Sequence, residues 1–146
     1  MTHQADKQHP IVPREKLDFG LDDPSIPKYW FGGDAFKTRF FDAMSLTFPI
    51  GERYFISSVR AYRDRITDPT LLQEVKDFTR QEAQHGIVHT QFNDMLAKQG
   101  QDVAWSQRFL DAKFKWQLSR WPAVFNLSYT AAAEHLTAMM CTTFMA

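Results

Sequence analysis

Thiol is scarce in this chain. Cys141 is its single cysteine, which excludes an internal disulfide and a metal cage built from thiolates. No placed base accompanies it, so Cys141 reads as core filler rather than as a nucleophile. Net charge is missing as well: 17 Lys and Arg balance 17 Asp and Glu to a formal zero at pH 7. That balance gives no electrostatic footprint for nucleic acid or a membrane surface. No run of about 18 apolar residues occurs, and the opening MTHQADKQHPIVPREK has no apolar signal-like core, the pattern expected of a soluble cytoplasmic protein. A glycine-rich phosphate loop, a Gly-x-Ser-x-Gly nucleophile elbow and the period-two alternation of strands are also absent. What remains is an all-α chain of 146 residues, a length suited to one compact domain.

Proline and charge dominate residues 1–30, where Pro10, Pro13, Pro24 and Pro27 fall without any sustained period. This segment is expected to be an extended arm, with His3 and His9 solvated in it. Tyr29, Trp30 and Phe31 would dock it onto a helical body spanning 31–146. Asp34 is a plausible N-cap for a first helix whose seam reads Phe41, Met44, Phe48, Glu52, Phe55, Val59, Tyr62. Pro49 either kinks that helix or starts a second one.

The stretch from Leu71 to Leu96 organises the rest. Asp68 caps it, Pro69 takes its first position and Gly100 can close it in the left-handed conformation. Its seam is Leu71, Val75, Phe78, Glu82, His85, His89, Phe92, Leu96. At roughly 100° per residue, Glu82, His85 and His89 stack on one face where the core should be. An isolated carboxylate there costs several kcal/mol of desolvation unless it is neutralised, paired or bound to a cation. A cation explains the glutamate and both imidazoles together. Satisfied core histidines, or an arginine partner for Glu52, are the competing structural readings.

Beyond Gly100, Trp105, Phe109, Ala112 and Trp116 share one side of a shorter helix, and Trp121-Pro122 opens a last one. That last helix is apolar nearly all round and should therefore be buried. Two seams compete in it, one placing Glu134 inside (127, 131, 134, 138, 141, 145) and one placing His135 inside. The favoured seam makes Glu134 a ligand with His135 flanking. His85 and His89 also stand at the spacing of a His-Glu-x-x-His zinc helix, but Gly86 occupies the position of the general-base glutamate, which argues against that peptidase type.

Carboxylate-bridged dinuclear sites in helical bundles take one Glu from each of two helices and a Glu-x-x-His from each of the others. Here Glu52, Glu82-Ala83-Gln84-His85 and Glu134 supply three of those four elements. The runs FPIGERYF (48–55), DP (68–69), QEAQHGIVHTQFN (81–93) and TAAAEHLTA (130–138) resemble the bacterial family called predicted metal-dependent hydrolases. The resemblance covers about Trp30 to Ala146. It implies a ferritin-like antiparallel helical bundle, incomplete here, with metal ligands at Glu52, Glu82, His85, Glu134, His89 and His135. It also implies a divalent metal, iron first and manganese or zinc as alternatives, activating water or dioxygen in a di-iron type site. A homodimer or a further C-terminal segment would complete the bundle around an unidentified small-molecule substrate. A non-catalytic interaction module or a metal-storage module is the alternative reading.

Overall fold

A computed structural model describes residues 11–144, with the Phe144 side chain and the expected positions of His3, His9 and Met145 outside the described set. Among the described residues four helices form the body: α1 (Ala35–Arg60), α2 (Pro69–Lys98), α3 (Val103–Arg120) and α4 (Ala123–Phe144), with a short 3-10 turn at Arg63–Arg65. No strand occurs among the described residues. The class is all-α, as the absence of strand alternation implied.

The helix boundaries follow local chemistry. Asp34 accepts from the Lys37 amide at the start of α1, Asp68 from the Thr70 and Leu71 amides at the start of α2, and Asp102 from the Trp105 amide at the start of α3. Pro69 sits in the first turn of α2, where its missing N–H costs nothing. At the other end Gly100 takes φ 87°, and Gln101 N bonds Leu96 O at 3.0 Å while Gly100 N bonds Ala97 O at 3.0 Å. That pair of bonds is a Schellman closure. Pro49 does not break α1, which runs unbroken through it.

α1 is the central element and packs against α2, α3 and α4. One core forms where Ile50 and Tyr54 of α1 meet Phe114 of α3, with Phe55, Leu110 and Tyr129 around them. A second gathers Met95, Leu96 and Val103, with Ile26 of the arm, Leu46 and Phe92. The arm is thus part of the packed body. Trp30 donates its indole N–H to Asp42 at 2.9 Å and meets Phe92 edge-on at 5.6 Å, while Phe31 stacks on Phe41 at 5.2 Å. Further along the arm, Arg14 N donates to Gln81 Oε1 at 3.0 Å.

Three expectations about faces are corrected. The tryptophan side of α3 points outward, with Trp105 61%, Phe109 58% and Trp116 57% exposed, and the buried side is Val103, Phe114 and Gln117. The seam of α2 is not inward along its whole length: Leu71 and His85 are exposed, His89 is half-buried, and the buried residues are Glu82, Asn93, Met95 and Leu96. α4 is not buried all round either, since Val124, Phe125, Leu136 and Met139 are all more than half exposed. Its inner stripe is polar: Asn126 Oδ1 accepts from Tyr54 Oη at 2.8 Å, and Thr130 Oγ1 lies 2.7 Å from Ser58 Oγ. A helix apolar on every side carries no period to select a face, so hydrogen-bond partners on α1 selected it instead.

Candidate metal centre

The site lies between α1 and α2. Glu52 on α1 is buried at 3% exposure, and both of its carboxylate oxygens lack a hydrogen-bond partner. His85 Nδ1 approaches Glu52 Oε1 to 2.7 Å, but out of line for a hydrogen bond. From His85 the contacts continue along α2, with His85 Nε2 and His89 Nε2 3.0 Å apart. Ligand atoms of Glu52, His85 and His89 all fall within 4.8 Å of one another, a spacing that could hold one metal ion. Phe48 packs on both rings, at 5.7 Å from His85 and 4.5 Å from His89.

Gly86 explains how Glu52 gets so close. A Cβ at this position would stand 2.6 Å from Glu52 Oε2. The residue that argues against a His-Glu-x-x-His peptidase thus has a steric role, leaving room for a carboxylate from the neighbouring helix.

Glu82 and Glu134 flank this group. Glu82 is buried, and the carboxyl of Glu134 on α4 acts on its ionisation. Burial first, then the Glu134 and Glu52 charges, push Glu82 up to about 7, with His85 opposing. Glu134 is likewise raised, chiefly by burial. Contact with Glu52 holds His85 above the usual imidazole range, against the effect of burial, while burial and the His85 charge push His89 down to about 4. Glu82 and Glu134 thus stand beside Glu52 in a space where their joint ionisation is unfavourable, three acids in all. Among the described residues no lysine or arginine pairs with any of the three; Arg53, the nearest in sequence to Glu52, leans toward Asp111 at 4.0 Å instead.

Of the six residues read from the sequence as ligands, the structure brings Glu52, His85 and His89 into one compact group and sets Glu82 and Glu134 beside it. His135 lies on the exposed side of α4, about 100° around the helix from Glu134, and does not join them. Sequence reasoning missed Ser45 and Asn93. Ser45 Oγ lies 2.8 Å from His89 Nδ1 and donates to Asn93 Oδ1 at 3.0 Å. Asn93 follows His89 by four positions, so helical spacing carried that signal.

The donor set fits a divalent cation. Two imidazoles and a carboxylate suit zinc or iron(II), and the carboxylate is buried without a counter-charge other than His85. Two cavities border the group. One of about 490 Å³ touches Glu52, Glu82 and Gly86, and one of about 420 Å³ between arm and α2 touches His85 and His89 beneath Leu17, Phe19 and Trp30. No helix among the described residues is long and apolar enough to cross a membrane.

No curated protein and no solved structure shows significant similarity to the chain. The profile of a family described as predicted metal-dependent hydrolases matches residues 13–146, a span that includes every residue of the site. By that match over nearly its whole length, the chain belongs to the family of predicted metal-dependent hydrolases.

Proposed function

We propose that the chain is a hydrolase that uses a divalent metal held by Glu52, His85 and His89. The observation that carries this reading is the Glu52 carboxylate, buried without a hydrogen-bond partner for either oxygen and grouped with His85 and His89 within 4.8 Å. A metal bound there supplies an acidified water or polarises a carbonyl or phosphoryl oxygen. The protein's own groups do the rest. Glu52 neutralises charge, Gly86 keeps the carboxylate in reach of α2, and Phe48 restrains the imidazoles. Glu82, titrating near neutrality beside Glu134, is suited to take a proton from the attacking water and return it to a leaving group. The cavity over His85 and His89 is walled mainly by apolar side chains, which fits a substrate with an apolar part.

A second ion between Glu82 and Glu134 would make the centre dinuclear, in keeping with the bundle pattern of Glu and Glu-x-x-His. Dioxygen chemistry is the second reading, favoured by the set of two histidines and one carboxylate that also holds non-haem iron(II). The broad exposed apolar side of α4 is consistent with a covering partner, either another copy or further chain.

The test is to load purified protein with zinc, manganese or iron(II) under argon and assay ester and phosphoester hydrolysis, with Glu52→Gln as control. Metal-dependent hydrolysis lost in Glu52→Gln supports the hydrolase. Oxygen uptake by the iron form without hydrolysis supports the second reading, and metal binding with neither activity indicates storage or delivery.

A further inference from the structure

His89 can face the site with either ring nitrogen bare, and the buried groups behind it decide which. The chain of decisions begins at Pro49. Proline has no N–H, so the Ser45 carbonyl, four residues earlier in α1, loses the donor that a helix interior normally supplies. Asn93 Nδ2 donates to that carbonyl at 3.1 Å. A carbonyl only accepts, so this end of the amide is the NH2 group and Oδ1 is the other end. Asn93 Oδ1 in turn lies 3.0 Å from Ser45 Oγ and can only accept, which commits the single hydroxyl proton of Ser45 to it. Ser45 Oγ has only lone pairs left for His89 Nδ1, 2.8 Å away. That nitrogen must therefore carry a proton. Both intermediaries are buried, Ser45 at 3% and Asn93 at 1%, so water does not offer an alternative partner.

From this geometry we infer that Ser45 and Asn93, set in place by the proline gap in α1, are positioning residues that hold His89 as the Nδ1–H tautomer and leave Nε2 as its metal-binding atom. The inference rests on the proposed metal site for its purpose, though not for its geometry. Nε2 is the atom that meets His85 Nε2 at 3.0 Å, within the donor group. A histidine whose far nitrogen donates to a fixed acceptor is oriented and made more basic toward a metal, and loss of such a partner typically weakens binding 10–100-fold. The same logic explains why a proline is accommodated in the middle of a long helix. Its orphaned carbonyl becomes the anchor that fixes the amide.

Two readouts test this. Long-range proton–nitrogen NMR on metal-free protein labelled with ¹⁵N-histidine reports the His89 tautomer, and calorimetry with zinc reports affinity. The expected result is an Nδ1–H signal for His89 in the wild type. Ser45→Ala should lose this single tautomer and weaken zinc binding by about 10–100-fold, and Ser45→Thr, which keeps the hydroxyl, should restore both. An Nε2–H tautomer in the wild type overturns the inference. So does a Ser45→Ala protein that keeps both the Nδ1–H tautomer and wild-type zinc affinity, which would reduce the serine to ordinary packing. Failure of the metal reading would look different: a wild type with the Nδ1–H tautomer that takes up no zinc.

Discussion

The absent side chain of Gly86 is filled by the carboxylate of Glu52: a Cβ on the glycine would stand 2.6 Å from Glu52 Oε2. Gly86 lies in the interior of α2, where glycine is intrinsically unfavourable by roughly 0.5–1 kcal/mol relative to alanine. Gly86→Ala therefore separates two effects. The glutamate end is flexible and can swing aside, so the metal-free protein should melt at the same temperature or a few degrees higher. Zinc affinity should fall at least tenfold, since the displaced carboxylate no longer reaches both histidines. Thermal melts with and without zinc check this, and equal zinc stabilisation of variant and wild type would contradict it.

Glu52→Gln probes the same carboxylate through charge. In the metal-free state the substitution removes both the desolvation cost of a buried carboxylate without a hydrogen-bond partner and its contact with His85, so the two effects oppose and apo stability should change by no more than about 1–3 kcal/mol. Metal binding should be lost at the same time. Chemical denaturation of metal-free protein reads the first effect and calorimetry the second; a large apo destabilisation would indicate that Glu52 is held by its contact with His85 as a structural ion pair.

The titrating groups set opposite pH dependences for the empty and the loaded protein. Glu82, His85 and Glu134 are all raised in the folded state. Each contributes stability that is full below its unfolded pKa and is lost as pH rises through the folded one. For Glu82 that loss extends up to about 7. His89 is depressed to about 4, so its contribution is complete above its unfolded value near 6.5 and is lost as pH falls toward 4. From about pH 6.5 upward, where the His89 contribution is complete, the metal-free melting temperature should thus fall with rising pH. Zinc affinity should rise over the same interval, because binding must displace protons from these groups. Melting curves and calorimetry at half-unit steps test both slopes, and parallel slopes would contradict the assignment.

Tyr54 offers a control outside the site. Its hydroxyl donates to Asn126 Oδ1 at 2.8 Å and accepts from Gln117 Nε2 at 2.6 Å, joining α1 to α4 and α3. Tyr54→Phe leaves two buried amides short of a partner and should cost about 1–3 kcal/mol. Zinc affinity should stay within a factor of about three. A much larger loss of affinity would mean that the α4 contact shapes the metal group.

Much of the centre was legible from spacing. Glu82, His85 and His89 fall on one helical face by arithmetic alone, and Asp68-Pro69 and Gly100 marked the ends of α2 because caps are local chemistry. Glu52 was placed by phase on α1, and that placement depended on Pro49 not breaking the helix. Asn93 supplies the missing donor, a long-range fact that no local window contains. The face of α4 was illegible for a different reason: its apolar residues lie on all sides, and the stripe that is buried is the polar one, chosen by Tyr54 and Ser58. His135 was kept beside Glu134 in the sequence reading because adjacency alone cannot choose between two seams.

An anomalous-difference map from crystals soaked in zinc and collected at the zinc edge tests the account most directly. It should show a peak bonded at about 2.0–2.2 Å to Glu52, His85 Nε2 or Nδ1, and His89 Nε2. A protein that binds no zinc, or a peak whose ligands exclude Glu52 and His89, would contradict it.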